Sequence, residues 1–163
     1  MRSHFRRSAV LAAAGLALAA CAPRGLPGVD SQRLDDEISR AIGDPATCVL
    51  IGEKGTGKVL YRYTTATTCA RTLPACDQPG RITVADRLNA TARDGRPHRA
   101  SCDTRPDHSR GVGWASGPIE GTGWVYAAVM EGERVFPGLM IADRMQGALR
   151  RAGVSKPAQD ASS

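Results

Sequence analysis

A chain of 163 residues with 22 lysines and arginines against 16 acids has a formal charge of +6. The arginines are scattered along it, which excludes the concentrated basic face by which nucleic acid is usually held. Aromatic residues make up only 4% of the chain, so its core must be mainly aliphatic and small, and the length suits one domain rather than two.

In chain order, residues 1–20 come first: arginines at 2, 6 and 7, then a small apolar run from Ala9 to Ala20, the layout of a secretory signal. The run is too short to span a bilayer, which takes about 20 apolar residues. It ends in Leu18-Ala19-Ala20-Cys21, which resembles the lipobox of bacterial lipoproteins. That resemblance implies acylation of Cys21 on sulfur, cleavage before it, and acylation of the new amino group. Several acyl chains make a stable membrane anchor where one binds only marginally. By resemblance to enterobacterial sorting, Ala22 rather than aspartate after the lipidated cysteine directs the outer rather than the inner membrane, with the domain facing the periplasm. Removing residues 1–20 leaves 143 residues and lowers the formal charge to +3.

Residues 21–29 mix proline and glycine and are expected to be a lipidated tether to a single domain over 30–154. Asp30 or Ser31 can cap a helix through Ile42, in which Leu34, Ile38 and Ile42 repeat every four residues. A strand from Thr47 to Ile51 follows, then the turn region EKGTG, then an alternating strand from Val59 to Thr64. The stretch from Gly52 to Val59 lies one residue away from a nucleotide-binding loop. Such a loop must run into a helix whose free amides hold phosphate, whereas here Lys58 runs into a β-branched and aromatic strand, and Val59 stands where the magnesium-binding hydroxyl belongs. No nucleotide and no other cofactor is expected.

Setting Cys21 aside, Cys48, Cys69, Cys76 and Cys102 form an even set in an oxidising compartment and point to two disulfides. Three pairings are open. The short loop containing Pro74 favours Cys69 with Cys76, which leaves Cys48 for Cys102. Residues 82–92 alternate in the manner of a strand, although Ala85, Leu88 and Ala92 also share a helical face, and Asp94-Gly95 fits a hairpin turn. Gly111 to Ile119 and Gly123 to Met130 form a further hairpin. Pro137-Gly138 introduces a helix whose apolar face is Ile141, Met145, Leu149 and Ala152, and residues 155–163 are expected to be a disordered tail. The whole is an α+β domain: an antiparallel sheet of about five strands with the N-terminal and C-terminal helices packed on one face, closed by disulfides.

This order, with TGKVLY (56–61) in the first hairpin and GWASG (113–117) with WVYAAVM (124–130) in the later strands, resembles the α/β half of the penicillin-recognising serine hydrolases. The family's Ser-x-x-Lys, Ser-Asp-Asn-like and Lys-Thr-Gly elements are absent here, so the resemblance implies a scaffold without that chemistry. Ser109 or Ser116 with His98 or His108 would be the material for a different triad. The cluster His98, Cys102, Asp103, Asp107 and His108 lacks the spacing of zinc motifs, so no metal is expected. Trp114, Trp124 and Tyr126 on the last hairpin are the candidate binding platform for a glycan or peptide. The sequence therefore points to a lipid-anchored envelope protein of binding or accessory type, not an enzyme, contacting peptidoglycan or another envelope protein. The alternative is a small serine hydrolase.

Overall fold

The computed structural model describes residues 25–44, 46–65 and 68–156; the signal, Cys21 and the end of the tail lie outside the described residues. Helix α1 (Ser31–Ile42) starts where Asp30 accepts hydrogen bonds from the backbone of Gln32 and Arg33, at 3.0 and 3.2 Å. Strands β1 (Thr47–Glu53) and β2 (Val59–Thr64) form the first hairpin, and Gly57 shows why its turn needs glycine. There φ is +70°, and an added Cβ would stand 2.2 Å from Asn89 Oδ1. After a 3-10 turn at Thr68–Ala70, the short strands β3 (Leu73–Pro74) and β4 (Arg81–Ile82) pair with each other. Then come α2 (Val84–Asp94), β5 (His98–Asp103), β6 (Gly111–Pro118), β7 (Trp124–Gly132) and α3 (Gly138–Arg151).

The main sheet is antiparallel with the order β2-β1-β7-β6-β5. β1 and β7 pair in continuous register from Thr47↔Met130 to Glu53↔Trp124, so the two halves of the chain close on each other at the centre of the sheet. α1 and α3 cover one face, as expected, and bury Leu34, Ile38, Ile141, Met145 and Leu149 against Val49, Ile51 and Ala128. The opposite face carries α2 and the cysteine-bearing segment, which enclose Leu50, Val84, Leu88, Trp114 and Val129. Burial on both faces explains why β1 is nearly continuous in apolar residues. Gly138 lets α3 approach the sheet closely, since a Cβ there would meet Trp114 O at 2.4 Å. No helix of the described residues is long and apolar enough to cross a membrane.

Three expectations are corrected. Residues 84–94 are a helix, not a strand: Thr83 and Asp86 form a reciprocal capping box, and Gly95, at φ 65°, closes the helix instead of turning a hairpin. The disulfides are Cys48–Cys69 and Cys76–Cys102, with Cα–Cα distances of 5.1 and 5.4 Å. The segment between Cys69 and Cys76 crosses the sheet from β2, where Cys69 lies beside Tyr63 O, to β6, where Cys76 approaches Val112 O. That is three strand spacings, about 14 Å, far beyond the reach of one disulfide. Finally, packing begins at Leu26, which is buried in the core, and continues to Ser155 and Lys156, whose amides donate to Leu149 and Glu120. Both ends of the domain therefore extend past the expected boundaries.

The linkage is directly measurable. Trypsin separates all four cysteines into residues 41–54, 63–71, 72–81 and 100–110. Non-reducing digestion should yield 41–54 joined to 63–71 and 72–81 joined to 100–110; 63–71 joined to 72–81 would refute the fold on this face.

Candidate functional site: an arginine-rimmed groove between α1 and α3

The three aromatics of the expected platform do not share a surface. Trp114 projects to the α2 side and is fully buried, and its Nε1 donates to Pro74 O at 2.8 Å. Tyr126 projects to the α1–α3 side, where burial pushes its hydroxyl up to about 12. Only Trp124 remains partly exposed. Neighbouring strands carry these residues, but the two-residue period of the strands sends Trp114 away from Trp124 and Tyr126.

The nucleophile candidates are also dispersed. His98 Nε2 lies 2.7 Å from Asp94 Oδ2, and His98 stands opposite Ser116 in the β5–β6 register. Ser116, however, is buried beneath α2, where its Oγ accepts from Thr91 Oγ1 at 2.7 Å. Ser109 Oγ donates to Asp107, and His108 Nδ1 contacts Asp103 on the same loop. Among the described residues no serine hydroxyl is bonded to a histidine ring, and no group of three or more His, Cys, Asp or Glu is placed to hold a metal.

A different surface gathers charge. Along the seam of α1 and α3 run two adjoining depressions of about 270 and 360 Å³, which share Arg40, Ala41 and Arg144. Arg134 and Phe136 complete the first and Arg151 the second, and Asp44 and Asp143 also contribute. Arg144 stacks over Phe136, its guanidinium carbon 4.2 Å from the ring centroid, and donates to Ala41 O at 3.1 Å. That contact fixes the guanidinium without neutralising it. Glu37 accepts from Arg40 Nη1 at 2.8 Å and from Arg151 Nε at 2.6 Å, and the Arg151 hydrogen bond holds its carboxyl below the usual range. Arg134 and Arg144 have no carboxylate within salt-bridge distance among the described residues. The small floor residues Ala41 and Gly147 leave space between the arginines. Planar guanidinium groups over an open groove suit bidentate binding of carboxylates.

The sequence did not disclose this groove. Arg144 and Arg151 stand seven residues apart on one helix face, which is legible, but the bond from Arg144 to Ala41 spans 103 positions. Neither a family model, nor a curated protein, nor a solved structure matches the chain.

Proposed function

We propose that this chain is a bacterial envelope lipoprotein, anchored through acylated Cys21 and facing the periplasm from the outer membrane, whose domain is a non-enzymatic binding or accessory module. The observation that carries the binding role is the α1–α3 groove with the unneutralised Arg134 and Arg144. Its chemistry fits a ligand bearing free carboxylates, and the stem peptides of peptidoglycan are such a ligand in the compartment to which the Leu-Ala-Ala-Cys segment points. The two disulfides suit an oxidising compartment. The test is co-sedimentation of the mature domain with purified sacculi, with and without competing muropeptides. Saturable, competed binding is expected, and Arg144→Ala should weaken it about tenfold, the worth of one charge-assisted contact. Binding unchanged by both Arg134→Ala and Arg144→Ala would overturn the groove as the site.

One observation favours a second reading, a serine hydrolase: the His98–Asp94 pair stands in register with Ser116. The path of helix, hairpin, helical insertion, three strands and helix also suits the penicillin-recognising scaffold. Against catalysis, Ser116 is 1% exposed and hydrogen bonded to Thr91. A fluorophosphonate probe is expected to leave the protein unlabelled; labelling that Ser116→Ala abolishes would establish the hydrolase.

A further inference from the structure

The chain enters the domain at one end, and that end has a distinct character. Leu26 is 4% exposed within the α1–α3 core, and Val29 N donates to Leu26 O at 3.1 Å, so the domain is held firmly from residue 26 onward. Only four residues, 22–25, lie between Cys21 and Leu26, a reach of at most about 18 Å. Beside this entry lies the β6–β7 turn. Lys156 N donates to Glu120 O at 3.1 Å on one side of the turn, and Lys54 N donates to Gly123 O at 2.8 Å on the other. An open groove of about 410 Å³ separates Pro27 from Gly121 and Gly153, with Trp124 in its wall. Lys54, Lys58 and Lys156 are the only lysines in the chain, and all three belong to this end. Glu53, 4.0 Å from Lys58, and Glu120 lie among them, and Asp30 and Asp94 adjoin the same end beside Val29 and Gly95.

We infer that this end, with Trp124 and the three lysines, lies on the phospholipid headgroups of the membrane that holds Cys21; the inference rests on the lipidation proposed above. A tether of four residues leaves the domain little room to stand off. Tryptophan is favoured at the boundary between acyl chain and headgroup, and lysine reaches from apolar surroundings toward anionic lipid. The opposite end of α3, where Leu139 and Met140 are 58% and 42% exposed, lies a helix length of about 21 Å away. The first depression of the arginine groove lies toward that end, lined by Gly43, Met130 and Phe136.

The protein carries its own probe, because Trp114 is fully buried and Trp124 is not. The acylated chain, reconstituted in phosphatidylglycerol and phosphatidylcholine vesicles with or without brominated acyl chains, is expected to lose tryptophan emission to bromine. Trp124→Phe should remove the quenched component and leave the Trp114 signal intact. Leu139→Trp in the Trp124→Phe background should remain unquenched. Acylated protein whose emission ignores bromine, or a quenched reporter at position 139, would overturn the inference alone. Palmitate labelling decides the anchor separately: a wild-type chain without label, or a Cys21→Ala chain with it, would overturn both.

Discussion

Trp114→Ala should cost the domain about 3–5 kcal/mol, the range for emptying a fully buried aromatic site. Total stability in domains of this size is about 5–15 kcal/mol, so the variant stands near the threshold of folding. The side chain fills the layer between the sheet and α2, its Nε1 satisfies Pro74 O at 2.8 Å, and Arg87 sits over its ring with Cζ 5.7 Å from the centroid. Alanine would leave both a cavity and a partly buried carbonyl without its donor. Trp114→Phe keeps most of the volume and loses the donor, so it should fall between the two. Urea unfolding of the oxidised protein reads all three midpoints. A loss below about 1 kcal/mol for Trp114→Ala would mean that this face is not packed as described.

Asp77→Ala should be the second large loss of stability, at about 3 kcal/mol, the low end for breaking a buried ion pair. The asymmetry of the pair sets this value. The Arg87 side chain is 5% exposed and that of Asp77 is 32%, so removing the acid strands a cation under the disulfide-bonded segment. Arg87 donates to both Asp77 oxygens, at 2.7 and 2.9 Å, and its Nε has no partner among the described residues. Arg87→Met should cost less than Asp77→Ala, because it leaves a carboxylate that can rehydrate while the methionine stem still fills the space beside Trp114. The hydrogen bond from Arg87 holds the Asp77 carboxyl below its usual range. A depressed folded-state pKa stabilises above the unfolded value and is lost as pH falls through the folded one. The stability gap between wild type and Asp77→Ala should therefore be constant at neutral pH and shrink below about pH 4. Equal costs for Asp77→Ala and Arg87→Met would refute this account.

Elements whose signals are local were legible. The four-residue repeat of Leu34, Ile38 and Ile42, the alternation from Val59 to Thr64, and the face of Ile141, Met145 and Leu149 each appear where expected, because one period fits each segment. Residues 84–94 were ambiguous because Val84, Leu88 and Ala92 lie four apart, which serves two-residue and helical periods alike. The deciding signal was present in Thr83-x-x-Asp86 and Gly95, a start and stop that outweigh periodicity in a short segment. The aromatic platform failed for a different reason: proximity on paired strands says nothing until the facing of each residue is known, and with helices on both faces neither side of β6 and β7 is free.

By itself the sequence determined the secondary structure of the two outer helices and the main hairpins, the even cysteine count, and the Leu-Ala-Ala-Cys segment that motivates the anchor. Each of these depends on neighbours within a few residues. Only the tertiary structure decided which cysteines pair, which aromatics are buried, and that arginines more than a hundred positions apart meet over one groove. Those outcomes follow from β1 pairing with β7, a contact between the two halves of the chain whose register no local pattern encodes.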